Sequence, residues 1–208
     1  MSVQLPETGI VFWPVGTGDS TTICVDKETI IQVDLNHMEK SDDEKDPHWQ
    51  ILDELIKVLP IKNKKPFLST FILTHPDQDH CRGFKELLSK VTIGEIWHTP
   101  RVFREFKKDQ CDDAKAFRDE ATRRTKIMIK CSGNVPDGDR LRLVGFDDLL
   151  KEEKYQGFPR SAFSIPGELV ASLNGINYEE KFKAFIQAPF KADSAKERNE
   201  TSLALQIT

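Results

Sequence analysis

Apolar residues fall into short blocks along the first third of the chain, and their spacing predicts strands. Residues 9–13 (GIVFW) form one such block. Residues 21–25 alternate with β-branched side chains, and residues 29–33 (TIIQV) form a further buried run that ends at Asp34. Between the first two lies Gly16-Thr-Gly18-Asp19-Ser20, a glycine-punctuated turn. It is not a phosphate loop, because no Lys-Ser/Thr follows at the needed spacing. Residues 39–46 (EKSDDEKD) are too polar to pack and predict a loop.

The period then changes. Asp46-Pro47 places an N-cap residue before a proline at the first helical position. Trp49, Leu52, Leu55, Ile56 and Leu59 follow at helical spacing until Pro60 stops them. Residues 67–73 (FLSTFIL) predict a strand that ends in a polar loop, Thr74 to His80. A second amphipathic helix carries Phe84, Leu87 and Leu88 on one face, and residues 91–97 predict another strand. Strand, helix, strand in that order is the unit of a parallel sheet. Residues 100–130 are charged and mostly helical with a thin apolar stripe. Beyond Gly133 the pattern returns to strands at 140–144, 184–188 and 202–207, separated by an irregular stretch from Lys151 to Gly175. No internal repeat or low-complexity tract interrupts this order.

Composition narrows the class. The 208 residues are 38% hydrophobic and 31% charged, which describes a soluble globular protein and not a disordered chain, and the strand-helix-strand order makes its expected class α/β. No apolar run approaches the ~18 residues of a membrane-spanning helix, and the N-terminus lacks the basic start and apolar core of a secretory signal. The expectation is a cytoplasmic protein with no membrane partner. The net charge of −4 gives no global attraction for a polyanion, so nucleic-acid binding would require a local basic patch. Cys24, Cys81, Cys111 and Cys131 form no CxxC pair and read as reduced thiols.

The candidate chemistry lies in His75-Pro-Asp77-Gln-Asp79-His80. Two imidazoles and two carboxylates within six residues, on a loop after a buried strand, can converge on one point. Neutral imidazole and carboxylate donors without thiolate suit zinc or manganese. In open α/β sheets such sites sit at the carboxyl ends of strands. In chains of this composition the pattern arises by chance on the order of once in a thousand. The plain alternative is a helix start in which Asp77 or Asp79 caps, which accounts for one carboxylate but not for two histidines.

The motif Thr74 to His80 resembles the signature of metallo-β-lactamase fold hydrolases. Its Asp at the second ligand position is similar to the ComEC-type subgroup of DNA-uptake competence proteins. Val15-Gly-Thr-Gly18-Asp19-Ser20 resembles that subgroup's VGQGDS turn. Ile30 to Asp34 resembles its ILIDxG strand, although Leu35-Asn36 replaces the usual ending. Asn199-Glu-Thr201-Ser202-Leu-Ala-Leu, preceded by Ile186-Gln-Ala-Pro189, resembles its NxxSLVL region.

The resemblance implies a single domain over residues 1–208 with an αββα sandwich. It implies two divalent metal ions, zinc first and manganese second, with His75 and Asp77 on one and Asp79 and His80 on the other. Asp79 and His80 would belong to the catalytic centre. Asp34 would orient a ligand from behind, and Asp19 with Ser20 would brace the same end of the sheet. The implied reaction is attack by metal-activated water on a phosphodiester, a nuclease-type activity. The family completes its site with a Gly-Asp and a further His beyond the strand like TSLALQIT. The expectation is therefore a domain incomplete at the C-terminus, whose last strand invites a protein partner or the missing half.

Weaker signals accompany the motif. His98 ends the 91–97 strand and is a candidate ligand or substrate contact, or else a partly exposed histidine. Arg101, Arg104, Lys107, Lys108, Arg118, Arg123, Arg124, Lys126 and Lys130 form a basic run. Asp109, Asp112, Asp113, Asp119 and Glu120 interleave it, which favours a solvated, ion-paired helix over a nucleic-acid patch. Phe103, Phe106, Phe158 and Phe163 could stack bases, but core positions are the simpler expectation. His37 and His48 read as incidental. Two further functions remain open: a non-catalytic interaction module that keeps the fold, and a hydrolase of another ester or a lactam.

Overall fold

A computed structural model describes residues 3–38, 50–103, 110–189 and 199–208. The acidic loop, Asp46-Pro47, His48 and Trp49 lie outside these residues, as do Arg104, Phe106, Lys107, Lys108 and Asp109. The N-terminal block is a meander of three antiparallel strands, β1 (Gly9–Phe12), β2 (Thr21–Cys24) and β3 (Ile30–Val33). Helix α1 (Ile51–Val58) buries Ile51, Leu52 and Leu55 and stops before Pro60. A two-residue strand β4 (Ile61–Lys62) then turns into β5 (Lys65–Ile72).

Next come one helical turn, α2 (Gln78–Cys81), helix α3 (Phe84–Lys90) and strand β6 (Thr92–His98). The long helix α4 (Asp112–Lys130) precedes β7 (Arg140–Val144) and the short β8 (Phe163–Ser164). The irregular stretch also yields β9 (Leu169–Val170) and a hairpin of β10 (Ser172–Leu173) with β11 (Ile176–Asn177). Strands β12 (Ala184–Ala188) and β13 (Ala204–Ile207) close the described chain.

Among the described residues, eight strands form one sheet in the order β1-β2-β3-β5-β6-β7-β8, with β4 beside β5. From β3 through β8 the neighbours on this path run parallel. A strand covered on both faces needs apolar residues on both, and β5 and β6 are buried almost throughout, as such strands are. On one face, Leu68, Phe71, Ile93, Ile96 and Leu141 pack against α1, α3 and α4. Phe71, Phe84 and Phe117 form the centre of that layer, with ring centroids 4.9–6.1 Å apart. On the other face, Ile31, Ile72, Trp97 and Val144 pack against Val170, Ala184 and Ile186 of a smaller antiparallel sheet ordered β13-β12-β9, and against Phe182 and Leu203, which lead into β12 and β13. The result is a helical layer, a large mostly parallel sheet and a small sheet. Strand β13 is the edge of the small sheet.

Two buried polar groups join the layers. Glu95 accepts from Trp97 Nε1 at 2.8 Å and from the Asn174 amide at 2.9 Å. Arg142 donates to Ser164 Oγ at 3.1 Å and to Ser172 Oγ at 2.9 Å, with its guanidinium over the Trp97 ring. Each reaches from the large sheet to the β10–β11 hairpin, Glu95 through Asn174 and Arg142 through Ser172, while Arg142 Nε has no hydrogen-bond partner among the described residues. No helix among the described residues is long and apolar enough to cross a membrane.

Candidate metal centre

Parallel pairing brings the ends of β3, β5 and β6 to one edge. The register Val33↔Ile72 sets Asp34 beside the residues that follow β5, and the Asp34 amide donates to the Ile72 carbonyl at 2.9 Å. Asp34 takes the left-handed conformation (φ 51°), which Asp tolerates better than bulkier residues do. Behind it, Gln32 donates from Nε2 to the Asp34 carbonyl at 2.6 Å and to Ser20 Oγ at 3.0 Å. Thr22 Oγ1 in turn accepts from Trp13 Nε1 and donates to Gln32 Oε1. Ser20 is thus linked to this end of the sheet through Gln32.

The carboxylate of Asp34 is 1% exposed and receives three donors. The Thr74 amide reaches Oδ1 at 2.8 Å, and Thr74 Oγ1 and His80 Nδ1 reach Oδ2 at 2.5 and 2.7 Å. Having given its proton to a carboxylate, the Thr74 hydroxyl is the acceptor for His75 Nδ1 at 3.0 Å. Both imidazoles therefore turn Nδ1–H inward and Nε2 outward, and Nε2 carries a lone pair when the ring is neutral. The two rings lie 3.9 Å apart, centroid to centroid. His75 Nε2 faces Asp77 Oδ2 at 3.8 Å, and His80 Nε2 faces Asp79 Oδ2 at 3.9 Å.

Asp34, His75 and His80 each offer an atom within 4.8 Å of the others, a cluster that could hold a metal ion. Exposure grades outward, from 1% for the Asp34 side chain through 12% and 18% for His75 and His80 to 43% and 40% for Asp77 and Asp79. Asp77 stands at the N-cap of α2 without a side-chain capping bond, so the plain capping role is not the one it plays. Burial pushes the Asp34 carboxyl up, against the pull of the His80 and Thr74 donors. His75 is held below its ordinary value by burial and by the neighbouring His80. For His80, burial works downward, but the Asp34 carboxylate outweighs it and raises the imidazole.

The glycine turn closes over this loop. A Cβ on Gly18 (φ +78°) would lie 2.1 Å from the Asp79 carbonyl oxygen. The Asp19 amide points at that same oxygen at 3.4 Å, and Asp19 Oδ1 accepts from Thr21 Oγ1 at 2.8 Å. Asn36, the departure from the familiar strand ending, donates to the Thr17 carbonyl at 2.7 Å and ties the turn down. On the far side His37 accepts from the Leu52 amide at 3.5 Å, so it serves the start of α1.

No protein-family model and no curated protein matches the chain.

The other sequence candidates separate from the centre. His98 ends β6 on the helical side, 4% exposed, edge-on to Phe103 and Phe117 at 5.7 and 5.5 Å. It is neither partly exposed nor part of the Asp34–His75–His80 cluster. Phe158 and Phe163 are buried, and Phe103 packs on Phe117. The cations of α4 are ion-paired in part: Arg123 with Glu120 and Asp139, Arg124 with Glu120, and Lys115 with Asp112. Arg124 is buried and donates to the carbonyls of Ile93, Gly94 and Arg140, which makes it a structural residue. Sequence reasoning missed Gln32 and the hydroxyl relay of Thr74. The signal for both was a polar side chain inside or just beyond an apolar strand.

Proposed function

We propose that the chain is a metal-dependent hydrolase domain of the metallo-β-lactamase type, acting on a phosphodiester. The observation that carries this reading is the pair of Nε2 atoms, each facing a carboxylate, on two rings anchored to buried Asp34, one directly and one through Thr74. His75 with Asp77 would hold one divalent ion and His80 with Asp79 a second, zinc before manganese on the strength of the nitrogen donors. The N···O spacings of 3.8 and 3.9 Å need to close by roughly 0.5 Å for tetrahedral bonds near 2 Å. Ions held there would supply Lewis acidity and a lowered pKa for bound water.

The chain's own residues do the rest. Asp34 holds the His80 ring in the correct tautomer and, through Thr74, does the same for His75. Gly18 and Asp19 press on the backbone of Asp79 and set where its carboxylate starts. A helical layer, a large mostly parallel sheet, a small sheet and a site at the parallel strand ends support the αββα reading, in which a second helical layer, not found among the described residues, would cover the small sheet. The phosphodiester substrate rests on the ComEC-type resemblance of the motifs.

A second reading is a non-catalytic interaction module. It is favoured by the two donor atoms that each pair supplies, fewer than the three usual at catalytic zinc, and by β13 at a sheet edge, open to pairing with another chain. One experiment separates the two. Zinc and manganese content is measured by elemental analysis on the chain and on Asp79→Ala/His80→Ala, alongside hydrolysis of bis(p-nitrophenyl) phosphate. Bound metal and hydrolysis in the parent, both lost in the variant, support the hydrolase. A folded parent that takes up neither metal overturns it.

A further inference from the structure

Two cysteines far apart in sequence meet where α2 packs against the start of α4. Cys81 Sγ lies 3.5 Å from Cys111 Sγ and otherwise faces the Pro76 carbonyl at 3.8 Å. Closing to a disulfide bond of ~2.05 Å needs the sulfurs to approach by about 1.5 Å. Backbone bonds hold both partners in place. The His80 and Arg82 carbonyls accept from the Leu35 and His37 amides at 2.8 and 3.0 Å, which ties α2 to the end of β3. Asp113 Oδ1 accepts from the Lys85 amide at 2.9 Å, which ties the first turn of α4 to α3.

The two thiols differ in the way a peroxide-reactive pair requires. Cys81 is wholly buried, whereas Cys111 is partly exposed. Cys111 caps α4, its sulfur accepting from the Ala114 amide at 3.5 Å. The hydrogen bond from Cys81, with a smaller one from that amide, outweighs burial and lowers Cys111 to about 6. The exposed sulfur is therefore a thiolate at neutral pH. Thiolate character and access select the sulfur that an oxidant attacks, and a second thiol alongside resolves the product. The other two cysteines are placed for neither role. Cys24 is buried in β2, and Cys131 ends α4, about 30 Å from Cys111 at 1.5 Å per residue.

We propose that Cys81 and Cys111 form a reversible oxidation site for hydroperoxides, Cys111 being the attacked thiol and Cys81 the resolving one. The Cys111 thiolate attacks the peroxide, so that an S–O bond forms and the O–O bond breaks. Hydroxide leaves and takes up the proton that Cys111 had released to solvent. The Cys81 sulfur then attacks the Cys111 sulfenic acid. The S–S bond forms, the S–O bond breaks, and the departing oxygen takes the Cys81 proton to leave as water. Two thiols thus give two electrons to one peroxide, and an external dithiol returns them. The pair shares no residue with the Asp34–His75–His80 cluster, so it stands or falls apart from the hydrolase reading.

The test treats the whole reduced chain, in a chelator, with a small excess of hydrogen peroxide. Intact mass and non-reducing peptide mapping follow the reaction. The parent is expected to lose the mass of two hydrogen atoms, to yield a linked Cys81–Cys111 peptide pair, and to recover its mass in dithiothreitol. Cys81→Ala, checked by circular dichroism, is expected to leave the sulfenic acid on Cys111 unresolved. Dimedone, which traps that acid, should label it at least about tenfold more than in the parent per peroxide consumed. Cys111→Ser, which keeps a capping oxygen, is expected to lose the cross-link and to consume peroxide at least about tenfold more slowly. A parent that accumulates dimedone-labelled Cys111 without the cross-link would show that the sulfurs do not close, and the proposal fails. A cross-link through Cys24 or Cys131, or a parent no faster than Cys111→Ser, would overturn it as well.

Discussion

The Nδ1 of His80 donates to Oδ2 of Asp34 at 2.7 Å, and the accepting carboxylate is almost wholly buried. One anion from the end of β3 therefore fixes the tautomer of a histidine 46 residues away, and it reaches His75 through one hydroxyl. Asp34→Asn keeps the shape and tolerates the φ of 51° but weakens the acceptor that faces His80. Zinc affinity, read by competition with a chromogenic chelator, is expected to fall about 10- to 100-fold with circular dichroism unchanged. An unchanged affinity would show that His80 holds its orientation without Asp34.

Thr74 should behave as a relay. Thr74→Val removes both the donor to Asp34 Oδ2 and the acceptor for His75 Nδ1, leaving two buried polar atoms short. A loss of about 1–3 kcal/mol in urea unfolding is expected, together with weaker zinc binding. Thr74→Ser, which keeps the hydroxyl, restores most of both. Equal losses in the two variants would point to packing of the methyl group instead.

Gly18 and Gly16 form a natural pair of probes. Both have positive φ, but a Cβ at Gly16 enters open space while one at Gly18 meets the Asp79 carbonyl. Gly16→Ala should cost about 1 kcal/mol from backbone strain alone. Gly18→Ala should cost at least about 1 kcal/mol more, because the turn must lift from the loop. Only Gly18→Ala should also lower metal affinity, since the displaced backbone carries Asp79. Identical effects of the two substitutions would remove the turn from the site.

Cys111 has a thiol activated by its neighbours, and Cys131 is the other cysteine that reaches the surface. The Cys111 sulfur accepts from the Ala114 amide at the start of α4 and lies 3.5 Å from Cys81 Sγ. The Cys81 thiol lowers Cys111 to about 6, the helix amides adding to this, while Cys81 itself is pushed up by that contact and by burial. Iodoacetamide labelling followed by peptide mass analysis should modify Cys111 ahead of Cys24 and Cys81, with a rate that reaches half its plateau near pH 6. Cys81→Ala should move that midpoint upward. A midpoint above pH 8 in the parent chain would contradict the contact.

Acid should also act through His98. The ring is neutral in the fold down to about pH 3 but protonates in the unfolded chain near 6.5. Below pH 6.5 the unfolded state therefore binds the extra proton, and stability falls as the pH drops toward 3. The slope from this group is about 1.4 kcal/mol per pH unit. His98→Leu should lack that slope between pH 6 and 4 in urea titrations. Parallel curves for the two proteins would mean that His98 is accessible to protons in the fold.

Much of the architecture was legible because strand and helix periods are local. The apolar blocks at residues 9–13, 21–25, 29–33, 140–144 and 184–188 became β1, β2, β3, β7 and β12 to within a residue or so. The strand-helix-strand order over residues 67–97 became the parallel pair β5 and β6. By contrast β8, β9, β10 and β11 are two residues long, too short to carry any period; β8 and β9 form on the edges of β7 and β12, and β10 and β11 pair with each other across a turn.

The site divides in the same way. His75, Asp77, Asp79 and His80 are legible as donors because six consecutive residues cannot lie far apart, whatever the fold. Which ring nitrogen bears the proton could not be read, since that follows from Asp34 and Thr74 across the β3–β5 register. Nor could the contact of Gly18 with Asp79, the meeting of Cys81 with Cys111, or the burial of His98 under α4. The chain by itself determined the elements and the local cluster of metal-binding side chains, because those depend on neighbours in sequence. Only the tertiary structure decided protonation, orientation and enclosure, because each of these is set by groups that long-range packing brings within a few ångströms.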